Sequence, residues 1–397
     1  MLKWMKRAAL ALGVVVVAGL IAGVIWREEL VRLYSVNTLF DEDKIVANFS
    51  NMRGSFLHTE FARDGEVFEF GRAERPLPET FESAGTAQST AEYLARSSTT
   101  SLLVVRDDAI EHESYFLSTG EEDLRISWSI AKSVLSALVG IALADGAIAS
   151  LDDPVVKYAP ALAGSAYDGA TLRNVLNMAS GVAFNEDYLD YDSDINKMGR
   201  ALALGGSLDE FSAALAARVD DPGVAWRYVS IDTHVVAMVL RGATGQPVAT
   251  YLEDRIWSRI GTEADGYYLT DGEGAAFVLG GLNLRTRDYA RFARLILNDG
   301  MWNGARILPE GWVAESTSAT APPAADEGQA FGYGYQWWIP PGANGEIMAR
   351  GVYGQYLWID QNAGVIIVKT SADRKFREGD GAAHRDAMAF FRAVARR

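Results

Sequence analysis

The sequence predicts an α+β fold: an antiparallel sheet built from both ends of the chain and flanked by helices, a helical insertion between them, and a transmembrane helix at the N-terminus. Three observations carry this expectation. Strand-like runs rich in β-branched and aromatic residues occur near residue 100 and return after residue 331, placing both halves in one sheet. The stretch 150–300 is patterned mainly as helices, several with Thr, Ser or Asp near the start and Gly near the end. Residues 8–26 are uninterruptedly apolar and long enough to span a bilayer.

Taken in order, the N-terminal segment comes first. Lys3, Lys6 and Arg7 precede the apolar run and Glu28-Glu29 follow it, which orients the N-terminus inside and the remaining chain outside. The run is long for a cleaved signal peptide and no clear A-x-A site follows, so residues 1–27 are expected to be an uncleaved single-pass anchor. The expected location is the inner (cytoplasmic) membrane, with the body on the periplasmic side. Residues 28–94 read as an irregular lead-in and linker with some short structure, including a Pro-, Ser-, Thr- and Glu-rich surface connection at 72–90. The main domain is expected at 95–397. It opens with two strand runs around Asp107-Asp108, then a helix from Ser129 that Asp145-Gly146 stops. A helical subdomain at about 150–300 follows, then the aromatic strands from 331, a turn at Gln361-Asn362-Ala363-Gly364, and a C-terminal helix.

Composition narrows the function. A net charge of −15 and a pI near 4.8, with no basic stripe, argue against nucleic acid as a partner. The chain has no cysteine, which excludes disulfides and thiolate chemistry. His58, His112, His234 and His384 are scattered without metal-ligand spacing, so no metal and no organic cofactor is expected. A Ser-His-Asp hydrolase would need a nucleophile elbow, and no G-x-S-x-G occurs; His234, on a helix pattern, reads as structural.

The helix at 129 raises the chemistry. Ser129 and Lys132 stand one turn apart, and Ser129, Lys132, Ser133, Ser136 and Gly140 share a face of a helix that is apolar on nearly every side. Burial disfavours the charged lysine, and a neutral amine can take a serine proton. A serine at a helix start also sits where free backbone N–H groups favour an oxyanion. The alternative is an N-capping Ser129 and a Lys132 that snorkels to water; the lone tetrapeptide is too common to decide. Tyr228, after the turn Asp220-Asp221-Pro222-Gly223, could act as a base if an ammonium stabilises its anion, or could simply be a packed aromatic. Gly351 and Gly354, in an otherwise strand-like run, mark either a bulge, a close backbone approach to ligand, or packing relief beneath Trp337, Trp338 and Trp358.

Read in order, these elements resemble the penicillin-recognising serine hydrolases: class C β-lactamases, DD-peptidases, family VIII carboxylesterases and, closest in texture, 6-aminohexanoate-dimer hydrolases. The resemblance covers roughly 95–397. It rests on SWSIAKSVLSALVGIALADGAI, LDDPVVKYAPAL, TLRNVLNMASGV, RYVSIDT at the Y-x-N position and RGVYGQYLWID at the K-T-G strand. It implies a β-lactamase/transpeptidase-like fold and a covalent acyl-enzyme. Ser129 would be the nucleophile, Lys132 its base and Tyr228 the proton shuttle. The backbone N–H groups of Ser129 and Val352 would form the oxyanion hole, with Ala349-Arg350-Gly351 as the K-T-G triplet. Tyr188 is the nearest match to a substrate-contacting tyrosine of the nylon-oligomer hydrolases, and Ser230 and Gly351 would also meet substrate.

Two departures bear on substrate. Ser230 replaces the Asn, and Ala349 replaces the Lys that would bind a β-lactam carboxylate. A neutral ester or a linear amide is therefore the expected small-molecule substrate. The acidic stretch 186–194 would suit a substrate with a free amine, or is a solvated surface loop. The alternative function is a non-catalytic envelope module binding peptidoglycan fragments or a protein partner.

Overall fold

A computed structural model describes residues 2–325, 330–379 and 381–397. The strands of its main sheet are β1 (Gly71–Arg72), β2 (Thr99–Arg106), β3 (Ala109–Tyr115), β4 (Gly332–Tyr333), β5 (Trp338–Ile339), β6 (Glu346–Gly351), β7 (Gln355–Asp360) and β8 (Val365–Ser371). Their spatial order is β4-β5-β6-β7-β8-β2-β3-β1, so the two ends of the chain meet where β8 pairs with β2. Neighbours are antiparallel except β1, which runs parallel to β3. Asp107 and Asp108 both adopt positive φ (47° and 62°), the geometry of a tight hairpin turn whose twist matches its strands.

Both faces of the sheet are covered, which explains why β2 and β8 are buried without alternation. On one face Tyr356 and Trp358 pack on Phe391 of the C-terminal helix Ala382–Ala395. The alternate residues Leu357 and Ile359 point to the other face, covered by helices Ile130–Ala144 and Thr286–Leu297. The first of these is buried along almost its whole length, from Ile130 to Ala142. At Gly140 it lies so close to Trp312 that a Cβ would come within 2.6 Å of the indole.

Two expectations are corrected. The segment 28–94 is no linker. Phe49, Phe61, Phe70 and Phe81 are buried in the common core, and His58–Phe61 pairs with Gly266–Leu269 in a second, four-stranded sheet. Even the Pro- and Ser-rich stretch holds a hairpin, Thr80–Ser83 with Thr86–Ser89, whose Phe81 packs on Phe390. Isolated phenylalanines between polar residues leave no periodic signal, yet each buries about 2 kcal/mol worth of apolar surface. The helical insertion is also shorter than 150–300. Gly266–Leu269 and Leu282–Leu284 are strands, and Thr286–Leu297 packs on the main sheet. The N-terminal run forms one helix, Leu2–Ile25, of which Lys3–Ile25 is long and apolar enough to cross a membrane.

Candidate active site

Ser129 sits between the short strand Arg125–Ile126 and the start of its helix, on a sharp turn. Trp128 before it takes a left-handed conformation (φ 45°), which costs a non-glycine residue of order 1–3 kcal/mol. The Ser129 hydroxyl makes no capping hydrogen bond to its helix. It lies instead close enough to the Tyr228 phenol to lower that group's pKa. The N-cap alternative is thereby removed. So is the snorkelling alternative, because Lys132 is only 1% exposed.

Lys132 Nζ donates to the Leu279 carbonyl (3.1 Å) and lies 5.6 Å from the centre of the Tyr228 ring. Burial lowers its pKa to about 7, against the opposing pull of the Glu186 and Asp232 carboxylates. A large fraction of the amine is then neutral at pH 7. Tyr228 shifts the other way: burial, then the Glu186 charge, push its phenol above the usual 10, while the nearby Ser129 hydroxyl, the Arg350 guanidinium and the Ser230 hydroxyl pull it back. Burial and the Glu186 charge therefore favour the protonated phenol over the phenolate base that the sequence allowed.

Ser230 begins the helix Ile231–Thr244. Its N–H donates to Glu186 Oε2 (2.8 Å) and its hydroxyl to Glu186 Oε1. Tyr188 donates to the same carboxylate at 2.5 Å and has its oxygen 3.5 Å from Ser230 Oγ. Glu186 thus ties the loop carrying Tyr188 to the helix that follows Tyr228. Sequence reading had treated it only as part of an acidic loop. Asp232, one turn below, accepts from Tyr167 (2.9 Å) and Ser180 (2.7 Å), and burial raises its pKa to about 7.

The far wall is the end of β6. A Cβ on Gly351 would lie 2.6 Å from the Ser127 carbonyl oxygen and 3.0 Å from the Ser129 nitrogen, so this backbone runs directly against the serine turn. Gly354, in contrast, faces Ser371 and serves the turn (φ +84°), and the run is a hairpin rather than one bulged strand. The turn residue Tyr353 is left-handed (φ 60°), and Gln355 Nε2 donates to the carbonyls of Val352 (3.2 Å) and Tyr353 (3.0 Å). The Arg350 guanidinium is taken up by aromatic rings, 3.4 Å from the ring centre of Trp338 and 4.8 Å from that of Phe331. Ala349 is buried. His234 pairs with Asp209 (2.7 Å) and lies outside the cleft. No cluster that could hold a metal ion occurs among the described residues.

Ser129, Tyr188, Ser230 and Val352 all line one cavity of about 260 Å³. Its other walls are mostly apolar: Leu39, Phe40, Met52 and Phe56 from the lead-in, Ile195, Met198 and Leu202 from helix Asp194–Ala203, and Phe277 and Leu279 opposite. The lead-in wall has no counterpart in the sequence reading. Gly351→Ala has no flexible neighbour to displace, so the two backbones must part. The expected result is a loss of about 100-fold or more in kcat on an activated ester, the scale of losing one oxyanion donor. Steady-state kinetics beside a melting curve would separate this from simple unfolding.

A sequence profile of the β-lactamase family matches residues 86–389, most of the chain. The chain belongs to the β-lactamase family. This family member is 30% identical over 290 residues to the 6-aminohexanoate-dimer hydrolase of Paenarthrobacter ureafaciens, a match covering 70% of this chain and 74% of that protein. A provisionally named 6-aminohexanoate-dimer hydrolase from Bacillus anthracis has a solved structure of TM-score 0.80 at 25% identity, covering 90% of this chain and 95% of the other. A D-stereospecific amidohydrolase from Streptomyces shares the fold (TM-score 0.60, 19% identity, covering 77% and 98%). This β-lactamase-family chain is a serine hydrolase, with the β-lactamase/transpeptidase-like α+β fold.

Proposed function

We propose that the chain hydrolyses neutral esters or linear amides through an acyl-enzyme on Ser129, anchored to the cytoplasmic membrane with its body outside. The observation that carries the chemistry is the Ser129 hydroxyl itself. It is free of its helix, close to the Tyr228 phenol, and placed at an apolar cavity with a buried, partly neutral lysine one turn along the helix.

In acylation, neutral Lys132 takes the proton of Ser129 as Oγ bonds to the substrate carbonyl carbon. The oxyanion is held by the N–H groups of Ser129 and Val352. Tyr228 gives its proton to the departing alkoxide or amine and is reprotonated from Lys132, so the carbonyl–heteroatom bond breaks with charge balanced. In deacylation water enters, loses its proton through the same pair, and releases the acid and Ser129. Tyr188 and Ser230, joined through Glu186, would meet the leaving group.

A β-lactam is a poor fit, because the cationic Arg350 is stacked on Trp338 and Ala349 offers no charge. The test is turnover of p-nitrophenyl acetate beside a chromogenic cephalosporin, with mass spectrometry of the trapped protein. Ester turnover with an acyl adduct on Ser129, and cephalosporin turnover at least 100-fold slower in kcat/KM, is expected. Cephalosporin hydrolysis at the ester's rate, or an adduct elsewhere, would sink the assignment. Binding of peptidoglycan fragments without any turnover would favour the non-catalytic alternative.

A further inference from the structure

The apolar cavity and the N-terminal helix are connected by an element that the matched family residues, 86–389, do not include. Helix Leu2–Ile25 passes through Trp26 into the helix Arg27–Asn37, whose first turn is closed by the backbone bond from Leu30 N–H to the Trp26 carbonyl (2.9 Å). Eleven residues of helix span about 16 Å. At the far end of that helix, Val36 and Asn37 line the cavity that holds Ser129. The reacting serine's cavity is thus reached within one short helix of the point where the chain would leave a bilayer.

The two faces of this short helix differ. One is turned to the body, where Arg32 Nε donates to the Ala203 carbonyl (2.8 Å) at the end of Asp194–Ala203. The other carries Trp26, Leu30 and Tyr34 at i, i+4 and i+8, with Val31 beside them, each more than half exposed. A contiguous apolar stripe next to a candidate span, on a chain of net charge −15, is costly in water and unsuited to anionic lipid. At the cavity's rim Leu189 is 80% and Tyr191 61% exposed. Helix Asp194–Ala203 turns Ile195, Met198 and Leu202 inward, so apolar surface runs from the rim to the serine.

We infer that the substrate is an amphiphile: an ester or amide with a long apolar chain, taken from a neutral bilayer surface on which Leu30, Val31 and Tyr34 rest. The chain occupies the cavity between the lead-in and helix Asp194–Ala203 while its carbonyl reaches Ser129. This deepens the hydrolase reading and rests on it and on the anchor. The stripe holds the mouth at the lipid surface, so an apolar substrate moves from bilayer to cavity without crossing water.

The experiment uses the full chain, in detergent and in phosphatidylcholine vesicles, with p-nitrophenyl esters from acetate to decanoate. In detergent, kcat/KM should rise about fourfold per added methylene until the cavity is filled, the value of burying one CH2. The variant Leu30→Ser/Tyr34→Ser should cleave acetate in detergent at the wild-type rate. On vesicle-borne decanoate it should be at least tenfold slower. A flat chain-length series with acetate cleaved would overturn the acyl-site assignment, and equal vesicle rates would overturn the role of the stripe. Failure of the full chain to float with vesicles would overturn the anchor, and absence of acetate turnover would overturn the Ser129 reading itself.

Discussion

Ser129→Ala should lose about 10⁴-fold or more of kcat/KM on p-nitrophenyl acetate while keeping its fold. On the proposed mechanism Ser129 is the group to which the acyl bond forms, so its removal carries the large kinetic effect; what survives would come from the proposed oxyanion donors and binding alone. The structural effect is small because the hydroxyl caps nothing. Only its polar contact with the Tyr228 phenol is lost, at most about 1 kcal/mol. A melting temperature within a few degrees of wild type, together with loss of covalent labelling by an alkyl phosphonate, is the expected pair of readings. Full activity would show that acylation does not occur at this serine.

Lys132→Met should cost about 10²- to 10⁴-fold in kcat, the range for a positioned general base, and should at the same time stabilise the protein at and below neutral pH. The sign follows from the direction of the shift. The lysine's pKa is lowered from 10.5 to about 7 in the folded chain, so between those values the unfolded chain binds more protons and stability rises with pH. Below about pH 7 the folded protein carries a buried charge whose full cost, several kcal/mol, is present. By pH 10.5 that cost is gone. Methionine removes it but leaves the Leu279 carbonyl without its donor, a penalty of about 1–3 kcal/mol, so the relief wins at low pH and the gain shrinks as pH rises. Denaturant midpoints of both proteins at pH 6 and pH 9 would check this. Lys369, also buried with a pKa lowered to about 7, titrates in both proteins and cancels from the comparison. The wild-type rate should climb with pH through about 7 and level off. A lysine variant that keeps both the rate and that limb would remove Lys132 from the mechanism.

Much of the site was legible because its parts are local patterns. Ser129 and Lys132 stand one turn apart on a helix too apolar to face water, and that alone places an amine in a dry interior. The hairpin at Asp107-Asp108, the turn at residues 361–364 and the helix Ile231–Thr244 each follow from residues within a few positions of one another. Gly351 was legible as a possible close approach; the backbone it approaches was not. Glu186 was missed because its role is to receive Ser230 and Tyr188, and an acidic loop looks the same whether its carboxylates face water or one another. The direction of the Tyr228 shift was equally hidden, since it depends on burial and on a carboxylate 42 positions away.

The sequence by itself determined the class of fold, the apolar N-terminal helix, the Ser129-Lys132 pair and the absence of cysteine chemistry. Each of these is written in residue type and short-range spacing. Tertiary structure decided that 28–94 belongs to the body, that its residues form one wall of the cavity, and that Arg350 is spent on Trp338. Those outcomes are set by contacts between segments far apart in the chain. A phenylalanine such as Phe56 carries no mark of the partner it will bury against until the chain has folded around it.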